Sequence, residues 1–212
     1  GDASNNFNFE ISGDNEVIEA TADGSTVYLT LKNKISVDAS PTITIKEIRD
    51  LSDNSLYNAV VVAQDRIPPA VESAKTVSTR VIEIKFTEGL ANLPTTKDDI
   101  EKYFTVGNLT TYFNIESLRQ SSTGVLEITL ESSTPMRSDE QPIITIESHA
   151  FSDTAGNYIS SIEVKAEDKV PPFAVAAETH NQTSIMVRFS ERLDPVTVTP
   201  SKFMVSIAST VS

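Results

Sequence analysis

Polar and apolar residues alternate along this chain with a period of two, as in strands that bury one face and wet the other. In the middle of the chain Ile82, Ile84 and Phe86 alternate with Val81, Glu83 and Lys85, and Leu126, Ile128 and Leu130 alternate with Glu127 and Thr129. Ile144 and Ile146 alternate with Thr145 and Glu147, and Ile162 and Val164 with Ser161, Glu163 and Lys165. Phe104-Thr105-Val106 reads as a further short strand. Turn-forming residues separate these runs at Asn92-Leu93-Pro94, at Ser121-Ser122-Thr123-Gly124 and at Asp153-Thr154-Ala155-Gly156-Asn157. Helical spacing is missing except for one turn near Lys97-Asp98-Asp99-Ile100-Glu101. The pattern predicts an all-β antiparallel sandwich over residues 66–168.

The pattern also repeats. Asp65, Pro68-Pro69, Phe86, Glu88 and Leu90 recur as Asp168, Pro171-Pro172, Phe189, Glu191 and Leu193, each 103 positions later. Thr26-Val27-Tyr28-Leu29-Thr30-Leu31 matches Val125-Leu126-Glu127-Ile128-Thr129-Leu130, and Pro41–Ile45 matches Pro142–Ile146. Leu51-Ser52-Asp53 matches Phe151-Ser152-Asp153. A Phe-x-(Ile/Val) strand is expected three times, at Phe9–Ile11, Phe104–Val106 and Phe203–Val205. A fixed period of this size marks a tandem array of small units. The chain divides into the back part of one unit (1–65), a whole unit (66–168) and the front part of a third (169–212). With about seven strands per unit, an immunoglobulin-like sandwich is expected. The front part, with about three strands expected, is too small to close a sandwich by itself. Two readings follow: an excerpt from a longer array, or a unit completed by strands from a neighbouring chain.

Composition narrows the function. A net charge of −13 argues against nucleic acid and anionic membrane as partners, since both call for clustered Lys and Arg. Cysteine is absent, so neither disulfides nor thiolate metal sites are expected. Apolar runs such as Ala59-Val60-Val61-Val62-Ala63 are too short to span a bilayer. No Gly-x-Ser-x-Gly turn, glycine-rich phosphate loop or paired histidines occur. His149 and His180 read as ordinary surface positions, and the chain is expected not to be an enzyme. Asn108-Leu109-Thr110 and Asn181-Gln182-Thr183 are glycosylation sequons.

Strand parity locates the chemistry. The first strand of the unit, near Val71, runs away from the incoming linker and the second returns. Asp65 in the linker, Glu88 after the second strand, and Asp153 with Asn157 before the last strand therefore gather at one pole. Asp168 and Glu191 repeat half of that set at the next junction. Carboxylates and an amide are hard oxygen donors, the set that Ca2+ takes. The competing reading is that the Asp residues cap turns and Glu88 is solvated. Pro68-Pro69 and Pro171-Pro172 fix φ, making each linker a short stiff spacer.

In its Asp-x-x-Pro-Pro, Phe-(Ser/Thr)-Glu-x-Leu and Asp-x-Ala-Gly-Asn segments the chain resembles the bacterial and archaeal immunoglobulin-like repeats of S-layer proteins and large surface adhesins. The resemblance implies an extracellular, mechanical role: a self-assembling coat or fibre subunit whose partners are neighbouring subunits, with calcium between domains. A stalk or binding module of an adhesin and a spacer of a secreted enzyme are the alternatives. Tyr103-Phe104 and Tyr112-Phe113 are the nearest candidates for an adhesive aromatic patch, half of them expected in the core.

Overall fold

The computed structural model describes residues 8–206. It is an all-β, antiparallel structure whose pairings fall into the three segments read from the sequence. The complete unit contains β6 (Val71–Ser78), β7 (Val81–Phe86), β8 (Leu90–Ala91), α1 (Lys97–Tyr103), β9 (Phe104–Gly107), β10 (Tyr112–Phe113), β11 (Ile115–Ser122), β12 (Val125–Leu130), β13 (Ile143–Ile146), β14 (Ser152–Asp153) and β15 (Ile162–Lys165). One sheet runs in the order β11-β12-β7-β6 and the other β10-β9-β13-β15, with β14 and β8 forming a short two-stranded clip.

The alternating positions pack the two sheets together. Ile82, Ile84, Leu126, Ile128, Leu130, Ile144 and Ile146 are all 0% exposed. At roughly 1.5–3 kcal/mol for each buried aliphatic side chain, this set is the main driving force for the unit. Phe151 fills the end of the core, edge-on to Phe86 at 5.3 Å and stacked on Phe104 at 6.2 Å between ring centroids. The expected helical turn is α1, capped by the Thr96 hydroxyl, which accepts from the Asp99 amide. Of the two aromatic pairs, Phe104 and Phe113 enter the core while Tyr112 stays exposed.

The flanking segments repeat parts of this topology. β1 (Phe9–Ile11), β4 (Thr42–Arg49) and β5 (Ser55–Val62) form one sheet in the order β1-β4-β5, as β9, β13 and β15 do. β2 (Val17–Asp23) and β3 (Thr26–Leu31) form a hairpin like β11 and β12, and β16 (Ala174–Asn181) and β17 (Ser184–Phe189) one like β6 and β7. Two expectations change. Phe203–Val205 is not a strand: among the described residues nothing pairs with it as β13 pairs with its counterpart β9. The front part therefore supplies two described strands rather than three.

In β17, Ile185 and Val187 are 49% and 37% exposed, whereas their counterparts Ile82 and Ile84 are sealed. The difference measures what pairing with β12 and cover by the second sheet do for β7. Ile82→Ala is expected to cost about 2–5 kcal/mol of stability in chemical denaturation. Ile185→Ala in dilute, monomeric protein is expected to cost under about 1 kcal/mol. Equal losses would contradict the half-open third unit.

Candidate metal centre

The pole predicted by strand parity exists. One carboxylate oxygen from each of Asp65, Glu88 and Asp153 lies within 4.8 Å of the others. Three elements bring them there. Glu88 lies two residues past the end of β7, and two residues further on Leu90 opens β8 and pairs with Asp153 of β14. Asp65 lies in the incoming linker.

Glycine makes the close approach possible. The tip of the β11–β12 hairpin packs on the backbone after β7 at Gly124, which has φ +69°. A Cβ there would stand 2.7 Å from the Glu88 carbonyl oxygen. The Leu90 amide donates to the Gln120 side-chain oxygen at 2.7 Å, tying the same segment to β11.

Glu88 is 6% exposed, and its Oε1 is sealed from solvent with no hydrogen-bond partner. A solvated Glu88 is thus ruled out. Burial, with Asp153 and Asp65 next in importance, pushes its carboxyl up to about 7; Asp38 of the preceding segment adds to the same field. Asp153, 1% exposed, goes the other way. Burial pushes its carboxyl up, but donors from the Asn157 backbone and side chain and from Gly156 and Ala155 outweigh that and hold it below the usual range. The Asn157 backbone and amide nitrogens each stand 2.8 Å from an Asp153 oxygen. Asn157 thus orients a carboxylate through its nitrogen, which also reaches the Asp65 carbonyl oxygen at 3.4 Å.

Turn capping and metal geometry coexist at Asp65. Its Oδ1 accepts from the Ile67 amide at 2.9 Å, and at the next linker the Asp168 Oδ1 accepts from the Val170 amide at 3.0 Å. Asp168 also receives the Thr76 hydroxyl at 3.4 Å, fixing the outgoing linker to β6. Asp168 and Glu191 belong to no three-carboxylate group among the described residues. Even so, Glu191 repeats the Glu88 feature: its Oε1 is buried and without a partner.

One residue escaped the sequence reading. By hydrogen bonding, the counterpart of Asp153 in the first segment is Asp50, not Asp53. The Asn54 backbone and amide nitrogens stand 2.8 Å from the two Asp50 oxygens, as those of Asn157 do at Asp153. The offset of 103 was visible at Asp50 and Asn54, but the more conspicuous Leu-Ser-Asp match hid it.

Chemically the pole holds buried negative charge facing itself. Two oxygens bound to one Ca2+ at about 2.4 Å lie at most about 4.8 Å apart, so these three can share an ion. All-oxygen donors favour Ca2+, Mg2+ or Mn2+ over softer metals. Elsewhere, the Asn108 amide nitrogen, where a glycan would attach, donates to Glu140 at 2.7 Å. His149 is exposed against the Tyr158 ring. No family model matches the chain, and no curated protein matches it.

The Glu88 shift fixes the sign of a pH effect. In metal-free protein a raised carboxyl favours the fold fully below its ordinary pKa of 4.5, and that contribution is lost as pH rises through about 7. The lowered Asp153 acts oppositely, but at lower pH. Wild-type protein in chelator should therefore lose roughly 3 kcal/mol between pH 5 and pH 8. Glu88→Gln should remove that slope and be the more stable protein at pH 8. Thermal denaturation across this range checks it; parallel curves would contradict it.

Proposed function

We propose that the chain is a structural, self-assembling cell-surface protein, a coat or fibre subunit built from stiffly joined immunoglobulin-like units with Ca2+ at their poles. One observation carries the reading: of the three converging carboxylates, Asp65 belongs to the linker and the other two to the body of the unit. An ion held by all three fastens the incoming linker to the sandwich, so its binding acts on the angle between units.

The surroundings support a mechanical role. Pro68-Pro69 stiffens the linker. Ala70 and Thr87 exchange hydrogen bonds at 3.1 and 2.9 Å, and Phe173 and Ser190 repeat the exchange at 3.1 and 2.9 Å. The outgoing linker is held by the Thr76 amide on the Glu167 carbonyl at 2.8 Å and the Lys169 amide on the Thr76 hydroxyl at 3.1 Å. No described helix is long and apolar enough to cross a membrane.

The proposal is tested by small-angle X-ray scattering with calcium and with chelator. Calcium, with an affinity on the order of 10⁻⁴ M, should narrow the spread of particle dimensions. The double variant Asp65→Asn, Asp153→Asn should behave with or without calcium like the chelated wild type. Profiles identical in calcium and chelator would remove the mechanical role of the ion.

A further inference from the structure

The two linkers of the complete unit are gripped at one place. β6, which the incoming linker enters, is the edge of one sheet, and β15, which leads to the outgoing linker, is the edge of the other. Past β15 the chain crosses between the sheets. The Ala166 amide still donates to the Pro142 carbonyl at 2.9 Å, continuing the ladder with β13, whereas Glu167 turns to β6 and bridges Lys75 in parallel. The Thr76 amide donates to the Glu167 carbonyl at 2.8 Å, and the Glu167 amide donates to the Ala74 carbonyl at 2.9 Å.

The Thr76 side chain holds the exit a second time. Its hydroxyl oxygen accepts from the Lys169 amide at 3.1 Å, and its proton faces the Glu167 carbonyl oxygen and Asp168 Oδ1, each 3.4 Å away. Thr76 is 1% exposed, and Ala74 and Ala166 are 5% and 1% exposed. Sealed from water, these bonds are strengthened and have no solvent partner to exchange with.

Direction decides what this patch does. Two parallel strands have the start of one and the end of the other at opposite ends. Tension applied through the linkers draws β6 toward the incoming pole and Glu167 toward the outgoing pole. The bonds between them must then slide past one another and are loaded together, instead of opening in turn. We infer that the unit bears tension along the chain, and that the parallel patch around Thr76 is the clamp that carries it. The inference rests on the structural reading above and names where the load passes; the clamp itself needs no ion. It belongs to the repeat: Ala74 and Thr76 recur as Ala177 and Thr179, and Ala166 and Asp168 match Ala63 and Asp65, all 103 positions apart.

Pulling single molecules in two directions tests the clamp. The chain has no cysteine, so handles attach only at introduced ones. Arg66→Cys with Lys169→Cys loads the unit along its axis and leaves the flanking segments out of the load path. Arg66→Cys with Ser122→Cys pulls from one pole, because Ser122 pairs with Val125 at the hairpin tip that packs behind β7, so β6 peels away from Val71 onward. In chelator, axial unfolding should need a severalfold higher force than peeling. At equal force Thr76→Val should speed axial unfolding about threefold to tenfold and leave peeling unchanged, since peeling is under way before it reaches Thr76. Thr76→Ser, which keeps the hydroxyl, should retain the wild-type axial rate. Equal wild-type forces in the two directions overturn the clamp, whatever the variants do. A Thr76→Val effect of equal size in both directions makes Thr76 a packing residue and overturns it too. Neither result bears on the calcium response of the linker, which scattering reads separately.

Discussion

The seam between β7 and β12 is the contact on which the rest depends. It joins the front and back parts of a unit, and its inward residues, Ile82, Ile84, Leu126 and Ile128, are all 0% exposed. Where the seam is made, the sheets close over a common core. Where it is not, in the flanking segments, equivalent positions stay half-open, and β3 and β17 have no second partner strand among the described residues. The same seam sets the chemistry at the pole. It carries Glu88 out of the end of β7 directly beneath Gly124, the entry to β12.

That placement produces an unstable charge arrangement when metal-free. Burial removes water from Glu88, and Asp153 and Asp65 face it with the same sign. Hydrogen-bond donors are supplied to Asp153 but not to the Glu88 Oε1. A site of this kind is resolved by a proton at low pH or by a cation at neutral pH. Because Asp65 is a linker residue, the ion proposed above would couple its binding to the geometry between units.

Much of this was legible in the sequence. Alternation identified β7, β12, β13 and β15, and strand parity placed Asp65, Glu88 and Asp153 at one pole. β11 was missed because Ile115-Glu116-Ser117-Leu118-Arg119-Gln120-Ser121-Ser122 is polar over most of both faces and is held by its ladder with β12 rather than by pattern. The two-residue strands β8, β10 and β14 are too short to show a period. The burial of Glu88 depends on a hairpin tip more than 30 residues away in the chain, which no local pattern reports. Phe203–Val205 has the right pattern but no partner among the described residues, a reminder that a strand is a property of a pair.

The direct test of the account is the titration of Glu88 itself, followed by the carbon-13 chemical shift of its side-chain carboxyl. In chelator the account predicts a midpoint near 7. In calcium the midpoint should fall below the ordinary 4.5 of a glutamate, because the ion binds the charged form. A midpoint near 4.5 in both solutions would show a solvated carboxylate and contradict the central claim.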